Sequence, residues 1–211
     1  MIVAATITVL LVGAAVGMLL TLARVGADGP PGADSVDVGF AQDMRVHHLQ
    51  AVTMAGIERD ATADLDLLGL AFDIESTQLA QASEMSGWLT SWGQPGLPAP
   101  GEEYMTWMAT PGGHGHSSAP ASSPTIMPGM ASSAELDELR NATGDAKDVL
   151  FLQLMLRHHQ GGLEMAQYAA KHAGVGYVRN LAQKIVESQV QESTLMEKAL
   201  KDRGAEPLPA P

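Results

Sequence analysis

One pattern of residues occurs twice in this chain, at a fixed sequence offset. The first copy contains the pair His47 and His48, and the second contains the pair His158 and His159. In both copies Asp, Val, Phe, Gln and Met precede the pair, and a further Met follows it at the same distance. The register continues without a gap into the next segment, which indicates that one helical hairpin has been duplicated.

Apolar residues at helical spacing, separated by Gly, Pro and Asp, predict four long helices and one short one. The loop within each hairpin is short, so its two helices should lie antiparallel. Gly174 is the expected C-terminal cap of the third long helix. The pattern therefore predicts an all-α four-helix bundle with a pseudo-two-fold axis. The predicted helices run from a cap at Ser35 or Asp34 to about Arg59, and over about 64–92, 134–140, 145–172 and 175–202.

Composition divides the chain into four parts. The run Ile2–Ala23 is apolar and uncharged, and about 20 such residues suffice to span a bilayer. We therefore predict an N-terminal transmembrane anchor, with a cleavable signal segment as the alternative. The predicted parts are the anchor or signal at 1–25, a linker at 26–34, the bundle domain at 35–204 and a Pro-rich tail at 205–211. Within the bundle domain we place the first hairpin at 35–93, a crossover rich in Met, His, Gly and Pro at 94–133, and the second hairpin at 134–204.

Charge and residue types exclude several classes of function. The formal net charge is −12, and an acidic domain repels phosphate backbones, so we do not expect nucleic-acid binding. The chain has no cysteine, which excludes disulfides, thiolate metal sites and cysteine nucleophiles. The sequence contains no Ser/His/Asp set, phosphate-binding loop or dinucleotide fingerprint, so it does not predict a hydrolase, a kinase or a dehydrogenase.

Each His pair lies on a stripe of Met, Phe and small residues. At roughly 100° per residue, Met44, His47, His48 and Met54 share one side of their helix, and the second copy places its equivalents alike. Gly162 falls where close packing of the two His-pair helices would exclude a side chain. The candidate metal ligands are Met44, His47, His48, Met54, Met155, His158, His159, Met165, Glu192 and Met196.

Further residues are weaker candidates for the same site. The Gly-rich crossover carries Met and His residues that could wrap a soft cation. Asp43 precedes His47 by one helical turn, which suits a carboxylate that orients a ring nitrogen. The weaker candidates are Asp43, Met85, His114, His116, Met127, Met130, His172 and Gln189.

The donor set favours a soft metal ion. Thioether and imidazole groups without thiolates select Cu(I) or Ag(I), whereas zinc could use His with Glu192 or Asp43, and iron is a further possibility. A carboxylate-bridged di-iron site needs a Glu-x-x-His motif on two helices, and neither His-pair helix has Glu three residues before a His. The metal-free alternative is that Met residues fill the core and that the imidazoles are hydrogen-bonded core groups.

The His-pair helices resemble those of a known family. The pattern Phe-x-x-x-Met-x-x-His-His…Met, followed by Gln-x-x-Glu-x-x-x-Met, is similar to the ferritin-like family called domain of unknown function 305. The segment 127–136 resembles the lead-in to that family's second His-pair helix, and the likeness covers about Ser35 to Gly204. The resemblance implies a ferritin-like bundle in an exported or anchored bacterial protein, with copper or silver binding in some members. Gln81 stands where the second copy has Glu192, which departs from a symmetric pair of sites.

The resemblance also assigns site residues, and they coincide with the candidates above. In the first half these residues are Met44, His47, His48 and Met54, and in the second half they are Met155, His158, His159, Met165, Gln189, Glu192 and Met196.

Three functional hypotheses follow. The first is a membrane-anchored protein on the extracytoplasmic face of a bacterial membrane, or secreted after signal cleavage, that sequesters or hands on Cu(I) without catalysis. The second is a ferritin-like oxidase that uses iron or copper. The third is a metal-free module that docks a membrane protein partner through its acidic face.

Overall fold

The computed structural model describes residues 12–19, 29–98, 103–108 and 127–211. Two compact units make up the chain, Met1–Pro31 and Gly32–Pro211. Within the first unit, residues 12–19 are helical. The rest of the predicted anchor lies outside the described residues, and no helix among those described is long and apolar enough to cross a membrane.

The described residues of the second unit form five α-helices and no β-strand. The all-α prediction is confirmed, and the predicted helix limits agree with the structure to within one residue. A short 3-10 helix, Thr106–Met108, lies in the crossover. The α-helices are α1 (Val36–Arg59), α2 (Leu65–Ser91), α3 (Ser133–Asn141), α4 (Asp145–His172) and α5 (Gly176–Asp202).

A side-chain cap begins α1 as the sequence predicts, and a second one begins α2. Ser35 Oγ accepts a hydrogen bond from the Val38 N–H at 3.2 Å, and Asp64 caps α2 in the same way. Both side chains satisfy amide groups that a helix N-terminus leaves without intrahelical partners.

Gly174 does not cap α4 as predicted, because its backbone is not in the left-handed region. Instead, the Gly174 N–H donates to Asp37 Oδ2 at 2.9 Å, and the Val175 N–H donates to Asp37 Oδ1 at 2.8 Å. A carboxylate at the start of a helix also interacts favourably with the helix dipole. The carboxylate of Asp37 in α1 therefore fixes the turn between α4 and α5.

The four long helices pack as two hairpins, α1 with α2 and α4 with α5, and α1 also packs against α4. Their buried methionines fall into two apolar clusters. Met44 near the start of α1 shares a cluster with Met165 of α4, whereas Met54 further along α1 shares the other cluster with Met155. The helices α1 and α4 are therefore antiparallel. The first Met cluster contains Met44, Met85, Met127 and Met165, and the second Met cluster contains Met54, Met155 and Met196.

The described parts of the crossover pack against the helices. Trp107 covers α1 at Gly39, where an added Cβ would lie 2.3 Å from the indole ring. Residues 127–131, which we call the strap, lie across α1 and α4. Gln50 of α1 holds the strap, because its amide accepts from the Ala131 N–H at 2.6 Å and donates to the Ala131 carbonyl at 2.9 Å.

The strap explains why α4 contains Gly161. An added Cβ at Gly161 would lie 2.1 Å from the Pro128 carbonyl oxygen, and one at Gly129 would lie 2.5 Å from the Arg157 carbonyl oxygen. Gly129 also has a φ of +78°, a conformation that glycine adopts without steric cost. The two glycines therefore let the strap touch the α4 backbone.

We predict that Gly161→Ala destabilises the protein by about 1–3 kcal/mol, because the methyl group overpacks the contact between α4 and the strap. The matched control is Gly87→Ala on α2, where an added Cβ meets nothing within 4 Å. This control should raise stability by up to about 1 kcal/mol through helix propensity. Urea unfolding followed by circular dichroism measures both, and equal effects of the two variants would contradict the role of the strap.

Candidate metal centre

Four histidines form a polar layer inside the bundle. His47, His48 and His158 are fully buried, and His159 is 1% exposed. We call these four residues the His layer. Along α1 the layer lies between Met44 of the first Met cluster and Met54 of the second. Burying polar rings between apolar clusters is unfavourable unless their nitrogens find partners.

Each of the four rings places Nε2 against an oxygen atom. His47 Nε2 lies 3.3 Å from the carbonyl oxygen of Pro128 in the strap, and His158 Nε2 lies 3.0 Å from the carbonyl oxygen of His47. The second residue of each pair uses a side chain of its hairpin partner. His48 Nε2 lies 2.7 Å from Gln81 Oε1, and His159 Nε2 lies 2.6 Å from Glu192 Oε2.

These partners fix where the ring protons lie. A carbonyl or carboxylate oxygen can only accept, so the facing Nε2 must carry the proton and donate it. In a neutral imidazole the other nitrogen then has a free lone pair. The Nδ1 atoms of His47, His48, His158 and His159 are all buried and have no hydrogen-bond partner among the described residues. In the neutral form of these rings, each Nδ1 holds a free lone pair that is shielded from solvent.

The two His pairs meet where α1 crosses α4. The rings of His47 and His158 have centroids 3.7 Å apart and planes tilted by 31°. Gly162 makes this approach possible, since an added Cβ there would lie 2.8 Å from His47 Cε1. The prediction that Gly162 allows close packing of the two His-pair helices is confirmed.

Burial keeps three of the rings neutral. Burial first, and then the nearby His48, lower the pKa of His47 to about 3. Burial likewise lowers the pKa of His48 to about 4, although the hydrogen bond to Gln81 opposes the shift. The pKa of His158 lies well below its ordinary value, first because of burial and then because of His47. Neutral imidazole is the form that binds a metal ion.

Two buried amides add further unpartnered groups. Gln78 on α2 is 3% exposed and Gln189 on α5 is 2% exposed, and neither the oxygen nor the nitrogen of either amide has a partner. A Cβ added at Gly162 would lie 3.2 Å from His47 Nδ1 and 3.4 Å from Gln189 Oε1. These two unpartnered atoms therefore flank the same small space above Gly162.

The second histidine of each pair makes an equivalent contact in its own hairpin, but the accepting side chain differs. His48 and Gln81 are separated by 33 residues, as are His159 and Glu192. The first hairpin thus offers a neutral amide oxygen, whereas the second offers a carboxylate oxygen. A carboxylate that accepts from a ring N–H makes the opposite nitrogen a better metal ligand.

The structure places two of the weaker candidate ligands in environments that differ from those expected from the sequence, and two more lie outside the described residues. Asp43 does not orient His47 through Oδ2, because that oxygen accepts from the Met105 N–H at 2.7 Å and from Trp107 Nε1 at 2.8 Å. His172 does not extend the buried stripe, because it is exposed and contacts Tyr168, with ring centroids 4.4 Å apart. His114 and His116 lie outside the described residues.

The methionine candidates divide between the two ends of the His layer. All of Met44, Met54, Met155, Met165 and Met196 are fully buried, as is Met85. Met127 of the strap joins the first Met cluster, and Met130 packs against it. Within the part of the chain that the structure describes, no three His, Asp or Glu side chains already surround a common point suited to a metal ion.

Sequence reasoning missed two acceptors of the layer. They are the backbone carbonyls of Pro128 and His47, which accept from His47 and His158, and backbone carbonyls leave no sequence signal. The duplicated pattern does align Gln78 with Gln189, so the sequence places both buried amides at equivalent positions of the partner helices.

Comparisons with known proteins identify relatives. The profile of the family described as Domain of unknown function (DUF305) matches residues 37–200. A crystal structure of a candidate secreted DUF305 protein from Streptomyces coelicolor is 41% identical with a TM-score of 0.73, and the match covers 84% of this chain and 99% of that one. A DUF305 fragment from Deinococcus radiodurans is 32% identical with a TM-score of 0.62, over 79% of this chain and 96% of the fragment.

The Cu(I)-bound form of CopM shares the fold at 23% identity and a TM-score of 0.58, over 79% of this chain and 96% of CopM. Curated proteins give no match.

We predict that the His layer makes the protein sensitive to acid. A histidine in the unfolded chain has a pKa of about 6.5. In the folded protein, burial lowers the pKa of His48 to about 4. Stability from this residue is therefore present above pH 6.5 and is lost as the pH falls towards 4. His48→Gln should reduce the pH slope of the unfolding free energy in this window by about 1.4 kcal/mol per pH unit.

The control for this prediction is His172→Gln, because the ring of His172 is exposed in the folded chain. Urea unfolding at a series of pH values between 4.5 and 7 measures the slope for the wild type and both variants. A slope unchanged by His48→Gln, or reduced equally by His172→Gln, would contradict the account.

Proposed function

The chain belongs to the DUF305 family, and we propose that this member binds Cu(I) or Ag(I) in its His layer and sequesters the ion or hands it on. The ion is cargo in this proposal, and no catalytic step is required. The ligands would come from the His layer and from the methionines at its two ends.

The observation that carries the proposal is the hydrogen-bond pattern of the His layer. Four rings donate Nε2–H to oxygen atoms and leave Nδ1 buried without a partner. Metal-binding histidines commonly have this arrangement, in which an oxygen acceptor fixes the tautomer and the other nitrogen faces the ion. A layer that served only to fill the core would leave four acceptor atoms unsatisfied, which is unfavourable in a folded protein.

The neighbouring sulfur atoms favour a soft ion. Fully buried methionines lie at both ends of the layer, and thioether with imidazole suits Cu(I) better than a hard cation. Zinc could use the imidazoles with Glu192, and iron would need more oxygen ligands than the layer offers. The structural relative CopM is known in a Cu(I)-bound form, which supports copper as the ion to test first.

The proposed location is outside the cytoplasm. The relative from Streptomyces coelicolor is named a candidate secreted protein, which supports export of this chain. Membrane attachment through residues 1–25 is part of the proposal, although most of this segment lies outside the described residues.

One observation favours a metal-free alternative. The described residues contain no preassembled group of three His, Asp or Glu ligands, and each ring already has one hydrogen bond. In this alternative the layer is a polar network that fixes the register of the helices, and the acidic surface docks a membrane protein partner. No feature of the described residues favours the oxidase.

We predict that replacing all four layer histidines with Gln weakens Cu(I) binding by about 100-fold or more, because an amide nitrogen can still donate at the Nε2 position while the Nδ1 lone pair is lost. The measurement is an anaerobic competition titration with a chromogenic Cu(I) chelator. Circular dichroism verifies that the variant remains folded.

The control is the double variant His114→Gln and His116→Gln, which removes the crossover histidines and leaves the layer intact. It should bind Cu(I) within about twofold of the wild type, a difference well below 1 kcal/mol. The proposal that the layer is the site would be contradicted if the four-Gln variant kept its Cu(I) affinity. It would also be contradicted if only the crossover variant lost binding.

A further inference from the structure

A cavity of about 200 Å³ opens between α4 and α5, beside the His layer. Its lining includes His159 and Gln160 from α4, and Gln189, Ser193, Thr194 and Glu197 from α5. A water molecule occupies about 30 Å³ in the liquid, so the cavity is large enough for a hydrated cation.

Three side chains that line this cavity have buried polar atoms without a partner among the described residues. They are Gln189, with both amide atoms, His159, with Nδ1, and Gln160, with Oε1. Gln189 and His159 are 2% and 1% exposed, and buried polar groups are normally satisfied. The unsatisfied amide oxygens at an open cavity therefore point to a ligand that is a hydrogen-bond donor or a cation.

The charges around the cavity favour a cation. Glu197 is exposed and forms part of the lining. Glu192 has a side chain that is 16% exposed and bonds to His159 Nε2. Among the described residues that line the cavity, none is Lys or Arg. Carboxylates at the edge of a recess raise the local concentration of cations and speed their association.

The first hairpin differs from the second at the outer positions of this face. The duplicated pattern aligns His48 with His159 and Gln78 with Gln189, so the inner groups are the same. The outer positions differ, because Leu49, Ala82 and Ser86 replace Gln160, Ser193 and Glu197. Leu49 is also 38% exposed. At these positions the face between α1 and α2 is therefore less polar than the face between α4 and α5, and it has no carboxylate there.

We infer that the cavity between α4 and α5 is the port through which the soft cation enters and leaves the His layer, with Gln189 and His159 as its first buried contacts. This inference rests on the proposed function. The two hairpins share the binding layer, but only the second carries the access route. A partner that delivers or accepts the ion would therefore meet the protein at Thr194 and Glu197.

The test compares a substitution at the port with its counterpart in the first hairpin. Thr194→Trp places an indole at the edge of the cavity, and Ser83→Trp places one at the equivalent position of α2. The two sites are well matched, because both are exposed and both hydroxyls donate to the carbonyl four residues earlier, at 3.0 Å for Thr194 and 2.7 Å for Ser83. Neither change removes a proposed ligand.

The full chain is mixed with the Cu(I)–bathocuproine disulfonate complex in a stopped-flow instrument under anaerobic conditions. One trace then gives both the extent of equilibrium binding and the rate of copper transfer. The amplitude of the absorbance loss reports equilibrium binding, and its rate reports transfer into the protein. We expect Thr194→Trp to slow transfer by about tenfold or more, equivalent to roughly 1.4 kcal/mol in the barrier, with an unchanged amplitude. Ser83→Trp should transfer at the wild-type rate.

Two outcomes would overturn the inference, and they can be distinguished. If the wild type gives no amplitude, the proposed function fails and the port fails with it. If the amplitude is normal but Thr194→Trp is no slower than Ser83→Trp, the His layer remains a binding site and the ion enters elsewhere.

Discussion

Four imidazoles share one buried layer, and the rest of the bundle is shaped around that constraint. A buried ring is tolerated only if its N–H finds an acceptor. The acceptors come from three places: the helix backbone at His47, the strap at Pro128, and the partner helices at Gln81 and Glu192. Gly162 lets the rings meet, and Gly161 lets the strap reach the layer. Removing any of these contacts would leave a buried polar atom without a partner.

The same arrangement determines which nitrogen of each ring has no partner. Oxygen acceptors bind every Nε2, so the unpartnered lone pairs are all Nδ1, and the buried methionines lie at the two ends of the layer. The hairpins are alike in these inner groups and differ in the residues that surround them. In the proposal, the layer binds the ion with ligands from both hairpins, whereas the access route lies on the second hairpin alone. Delivery and release of the ion would then occur at a single surface.

The sequence predicted the elements that repeat. Local periodicity and capping residues located the five helices, and Gly162 on the Met and His stripe indicated that α1 and α4 approach closely. Contacts between distant segments could not be read in this way. The function of Gly161 depends on a strap more than thirty residues away in the chain, and Asp43 serves Trp107 of the crossover rather than a ring one turn away. His172 lies at the end of α4, where the helix passes beyond the packed core and the stripe becomes exposed. Which nitrogen of each ring is free follows from these tertiary contacts, so the sequence alone does not determine it.

The most direct test of the central claim is the position of copper in the loaded protein. Crystals of residues 28–211 loaded anaerobically with Cu(I), and measured at the copper absorption edge, would locate the ion by its anomalous scattering. The account predicts a peak inside the bundle, between α1 and α4 and within bonding distance of Nδ1 atoms of the His layer. A peak found only on the surface or in the crossover, with the layer empty, would contradict it.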